Sequence, residues 1–163
     1  MKQSLFLVLL LLVLFSSEES KAQKTEAINW ATFEQLNDSL SVKPKKVILF
    51  FYADWCVYCK KMEQAAFKKP EIIQKINRAF YAVKFNAETT QAVVFDGVLF
   101  NNTEAKIKRN PVHDIATLFA SREGLPFSLP ATIFLDEDFA VTHRVFEYIS
   151  PKKMMELLEN GLY

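Results

Sequence analysis

The chain is 163 residues long, half of them hydrophobic and 13% aromatic, with fifteen Phe. That length suits one domain with a sizeable core, and three Gly with six Pro leave little room for linkers or disorder. A formal charge of +1, with both signs spread along the chain, removes the electrostatic case for nucleic acid or a strongly acidic partner.

The N-terminus reads as a targeting segment. Lys2 gives it a positive start, Leu5 to Phe15 is an unbroken apolar run, and Ser20-Lys21-Ala22 sets small residues at −3 and −1 before Gln23. The run is shorter than the roughly 20 apolar residues a spanning helix needs. Residues 1–22 are therefore expected to be a cleaved signal peptide and residues 23–163 a single domain, the alternative being a retained anchor. No Cys stands near the cleavage point to carry a lipid. A periplasmic or secreted protein without stable membrane insertion follows.

Along the mature chain, Trp30, Phe33, Leu36 and Leu40 fall at helical spacing and predict a helix over 29–40. Val47 to Tyr52 is a short continuous apolar run, as in a strand buried on both faces. Good helix formers run from Lys60 to Phe67, and Pro70 is placed to open a further helix through Ile72, Ile73 and Ile76. Phe80 to Phe85 predicts a second strand. Asp96-Gly97 between Val93-Val94-Phe95 and Val98-Leu99-Phe100 predicts a hairpin. A helix around Ile115, Leu118 and Phe119 should end near Gly124. Strands are expected over Thr132–Leu135 and Val141–Tyr148, then a last helix with Ser150 as N-cap, Pro151 at its first position and its end at Gly161. This order is an α/β pattern with a mixed sheet and a parallel first crossover.

The two cysteines, Cys56 and Cys59, stand at the predicted strand-to-helix junction. A bond between them closes a tiny loop and constrains the unfolded chain little, so a reactive role explains them better than a stapling one. The thiolate is the attacking species, and a free thiol has a pKa of about 8.5. The positive end of a helix favours the anion at Cys56. Cys59, one turn on and on the same face, can resolve a mixed disulfide formed at Cys56. A lone CxxC is also half of a zinc site, but closing one would need His113 and His143, distant in sequence and on different elements. No metal is expected.

The run Phe50-Phe51-Tyr52-Ala53-Asp54-Trp55-Cys56-Val57-Tyr58-Cys59-Lys60 resembles the active-site strand and turn of the thioredoxin superfamily. With Met62-Glu63, Phe67 and Pro70-Glu71 it is most similar to the periplasmic thioredoxin-like domain of thiol:disulfide interchange reductases, and to small exported thioredoxin-like proteins. Leu129-Pro130-Ala131-Thr132-Ile133-Phe134-Leu135-Asp136 looks like the family's cis-proline segment and following strand. The likeness runs from Val47 to the C-terminus and is weak over 89–128.

The resemblance implies a thioredoxin-like fold: a central mixed sheet flanked by helices, with a hairpin-containing insertion before the cis-proline strand. It implies that Trp55, Leu129 and Pro130 meet an extended substrate chain. It also implies a monomer that exchanges disulfides with protein thiols in the cell envelope, with an unidentified electron donor and no cofactor beyond the Cys56–Cys59 disulfide. The chain departs from the family where many thioredoxins carry a buried Asp, since Phe50 matches that position. Lys84 matches the lysine that usually neighbours the acid, and Glu63 is expected to accept the Cys59 proton instead. Reduction or exchange is the expected direction. The alternatives are a disulfide oxidase or isomerase, which Tyr58 before the second cysteine resembles, or a non-catalytic binding or chaperone module.

Overall fold

A computed structural model describes residues 27–160. The expected signal peptide and the helix end at Gly161 lie outside them. Five strands form one mixed sheet, β1 (Trp30–Ala31), β2 (Lys46–Tyr52), β3 (Phe80–Asn86), β6 (Ala131–Leu135) and β7 (Val141–Val145), in the order β1-β3-β2-β6-β7. β1 and β2 each run parallel to β3, while β6 is antiparallel to both β2 and β7. β4 (Val93–Phe95) and β5 (Val98–Phe100) pair as a separate hairpin. Its turn residues Asp96 and Gly97 have φ of 50° and 70°, the left-handed pair that a type I′ turn requires. The helices are α1 (Phe33–Val42), α2 (Val57–Gln64), α3 (Pro70–Ala79), α4 (Asp114–Ala120) and α5 (Pro151–Asn160), with one turn of 3₁₀ helix over Ala66–Lys68.

The apolar run in β2 divides by alternation between two cores. Ile48 and Phe50 join a cluster with Cys56, Cys59, Met62, Phe67 and the isoleucines of α3; Val47, Leu49 and Phe51 join the opposite one with Phe33, Phe95 and Phe119. Phe residues fill both. Phe50 packs edge-on to Phe67 with centroids 5.0 Å apart, and Phe33 lies 5.3 Å from Phe85 and 5.5 Å from Phe95. Such pairs add roughly 0.5–1.5 kcal/mol each beyond their buried area. β2 is thus the central strand between two apolar layers, and its C-terminal end delivers the chain to Cys56.

Four element boundaries differ from expectation, one being the helix around Ile115, which ends at Ala120 and not near Gly124 because Ser121 is already extended. The first helix begins at Phe33, not Asn29, because Thr32 caps it: its Oγ1 accepts from the Gln35 N–H, and the Gln35 side chain accepts from the Thr32 N–H. Trp30 and Ala31 instead pair with Ala82 and Val83 as an edge strand. Helix α2 begins at Val57, since the Cys56 sulfur serves as its cap. β7 stops at Val145, short of Tyr148, where pairing with β6 ends. The hairpin packs on α1, whose Glu34 and Asn37 side chains accept from the Val94 and Asp96 N–H groups.

Candidate active site

β2 ends in a tight turn in which the Cys56 N–H donates to the Ala53 carbonyl at 3.0 Å. The chain then enters α2 with Cys56 at its N-cap, and the Cys59 N–H donates to Cys56 Sγ at 3.1 Å. The cysteines are joined as a disulfide. Cys59 is fully buried and Cys56 is 3% exposed, whereas Trp55, Val57 and Tyr58 around them are more than half exposed. The disulfide is therefore sunk among exposed apolar side chains. Tyr58 approaches Tyr148 at 6.3 Å between centroids, and the Lys61 ammonium sits 4.7 Å over the Tyr148 ring.

Glu63 and Lys84 meet, Lys84 Nζ donating to Glu63 Oε2 at 2.6 Å while lying 4.5 Å over the Tyr52 ring. Lys84 is the register partner of Phe50 on β3, and Phe50 is wholly buried in the cluster that holds both cysteines. The acid nearest this row thus comes from α2, one turn after Cys59, rather than from β2.

The Leu129–Pro130 peptide is cis, and the segment before it is held by Arg122. That guanidinium donates to Ser128 Oγ at 2.7 Å and lies 4.2 Å over the Phe146 ring. Leu129 and Trp55 line one groove of about 330 Å³, with Glu88, Glu104, Lys108 and Phe127 as further walls. The 89–128 segment therefore has two parts: the hairpin covers α1, and residues 104–112 reach the groove.

Sequence reasoning missed Glu88, whose Oε1 accepts from the Trp55 indole N–H at 3.0 Å. The two are 33 residues apart, and only the end of β3 brings them together. It also missed Arg122. Of the two candidate zinc ligands, His113 is wholly buried and engaged at both nitrogens, Nδ1 accepting from the Ile115 N–H and Nε2 facing the Gln91 carbonyl at 3.0 Å. Its burial pushes its pKa below the ordinary imidazole value. His143 lies on β7, opposite Phe134. Among the described residues no group of three or more His, Cys, Asp or Glu could hold a metal ion, and no helix is long and apolar enough to cross a membrane.

A strand–turn–helix with a CxxC disulfide at the helix cap, and a cis-proline segment before the antiparallel strand β6, define a class of redox fold. The chain belongs to the thioredoxin-like domain family, whose model matches residues 34–162. Among curated proteins it is similar to the thiol:disulfide interchange protein DsbD of Salmonella typhi, 32% identical over 65% of this chain, and to that of Escherichia coli O6:K15:H31, 29% identical over 73%. It spans only 15% and 18% of those proteins. Among solved structures, DsbH oxidoreductase superposes with a TM-score of 0.60 at 16% identity, covering 90% of this chain and 92% of that one. The reduced DsbD C-terminal domain of Neisseria meningitidis gives 0.51 at 21% identity, covering 77% and 90%. These structural likenesses concern the fold.

Proposed function

We propose that this protein is a thiol–disulfide oxidoreductase that reduces or exchanges disulfides of protein partners outside the cytoplasm. The carrying observation is the position of Cys56 Sγ as the cap of α2, accepting the Cys59 N–H. Unpaired N–H groups and the positive end of the helix favour a thiolate there. In the dithiol state, Cys56 attacks a partner disulfide and forms a mixed disulfide, and one partner sulfur leaves with the electron pair. Cys59 then attacks Cys56 Sγ, the internal disulfide forms, and the second partner sulfur leaves.

Glu63 accepts the Cys59 proton in this reading, with Lys84 holding its carboxylate. Trp55, Leu129 and Pro130 receive the partner chain in an extended form, and the groove beside Trp55 takes a side chain next to its cysteine. Export rests on the N-terminal segment of the sequence. The test is insulin reduction by the wild type and by Cys56→Ser. Activity in the wild type that vanishes in the variant supports the reading; no activity in either assigns the groove to a binding module.

A further inference from the structure

The sheet face beneath α2 carries a polar group, in the same row as Phe50, that the cycle above does not employ. Strand register sets Lys84, Phe50, Thr132 and Val145 in one row across β3, β2, β6 and β7. Residues directly opposite one another share a face, and Phe50 belongs to the cluster of Cys56, Cys59 and Met62. Alternation along β6 agrees, since Ala131, Ile133 and Leu135 belong to the other core and Phe134 to this one. Thr132 therefore faces the layer in which α2 buries Cys59. It is wholly buried. With the cysteines joined, its hydroxyl has no hydrogen-bond partner among the described residues.

A buried hydroxyl without a partner destabilises a fold, and valine would fill the same space without that cost. A threonine here is explained if its partner exists in another state of the protein. The group in this layer that changes state is the Cys59 sulfur. Joined, it carries no charge and is a weak acceptor; freed, it becomes a thiol or a thiolate, which is a strong one. Lys84, at the far end of the row beyond Phe50, is already engaged by Glu63 and Tyr52.

We propose that Thr132 is a positioning residue for the resolving cysteine: its hydroxyl donates to Cys59 Sγ in the dithiol state and loses that acceptor when the disulfide closes. This rests on the reading that Cys56 and Cys59 cycle between the two states. On closure the Cys59 thiolate, its proton already passed to Glu63, attacks Cys56 Sγ of the mixed disulfide. The Cys56–Cys59 bond forms, the bond from Cys56 to the partner sulfur breaks, and the partner leaves as a thiolate. Thr132 steadies the attacking thiolate and favours the dithiol form over the disulfide form.

The experiment equilibrates wild type, Thr132→Val and Thr132→Ser with glutathione at neutral pH, and melts each in its oxidised and reduced forms. Thr132→Val should shift the equilibrium about tenfold toward the disulfide, some 30 mV more negative. Its oxidised form should melt at or above the wild-type temperature and its reduced form below. Thr132→Ser should keep the wild-type potential. Equal melting shifts in both redox forms, with an unchanged potential, would show a merely structural threonine and overturn the inference alone. A wild type that does not exchange with glutathione at all would overturn it together with the proposed function.

Discussion

Glu63 illustrates how a side chain's partner decides its use. One turn past Cys59 on α2, it would ordinarily be a solvated helix carboxylate, yet it is two-thirds buried, at 33% exposure, and bonded to Lys84 at 2.6 Å. Replacing it by Gln keeps the shape and removes the carboxylate proposed to accept the Cys59 proton. Thiol exchange at neutral pH is expected to slow on the order of 10²-fold, the low end for a general base. An unchanged pH–rate profile would exclude the role. Trp55 depends on Glu88 in a similar way, because one hydrogen bond orients an indole that is 58% exposed. Glu88→Ala should raise the KM for a protein disulfide several-fold and leave kcat unchanged, with a shift in Trp55 fluorescence; an equal fall in kcat would contradict a purely orienting role. The Trp55–Glu88 contact was not legible at the residue level, since it joins groups 33 residues apart, whereas the family resemblance sets Lys84 near Glu63, where their 2.6 Å bond lies. Cys56 and Cys59 were legible from their spacing, and Phe50 from its place in the run that resembles the family's active-site strand.

At the scale of elements, a few groups pin the insertion to the core. Phe95 from the hairpin packs against Phe33, Phe119 and Phe139. Phe95→Ala should cost about 3–5 kcal/mol, read by denaturant unfolding, while the Cys56–Cys59 disulfide keeps its potential. His113 caps α4, and its own N–H donates to the Ala87 carbonyl at the end of β3. Burial lowers its pKa, opposed by the Gln91 carbonyl and by Asp114. The unfolded chain therefore binds a proton at higher pH than the folded one. This contribution to stability is complete above the unfolded value of about 6.5 and declines as pH falls below it toward the depressed folded value. Melting temperatures taken between pH 7.5 and 5 should fall in the wild type and fall less in His113→Gln; parallel curves would assign the acid sensitivity to other groups.

The two helix starts that sequence patterning missed have one cause in common: short-range hydrogen bonds outrank periodicity. Trp30 and Phe33 fit a helical stripe, but the Thr32–Gln35 capping box starts the helix after Ala31 and frees Trp30 for an edge strand. Lys60 opens a run of good helix formers, yet the helix begins earlier because Cys56 caps it.

In the whole molecule the division of labour follows the sheet. One layer carries the cysteines, and the opposite layer anchors the hairpin and α4. That division was legible in outline from β2 alone, whose six apolar residues from Val47 to Tyr52 suit a strand covered on both sides. The pairing of β4 and β5 was legible from Asp96-Gly97, but their place against α1 was not, because Glu34 and Asn37 give no sign in sequence of the backbone they accept from.

The sheet's two margins are also unlike its centre. β1 is only two residues long, and β7 carries a register irregularity opposite Phe134–Leu135, with Arg144 projecting on its length. Long, flat, apolar margins recruit strands from other copies, whereas short, bent or charged ones deny them a template. The two margins of this sheet thus offer little template to strands from other copies, and self-assembly into fibres is discouraged.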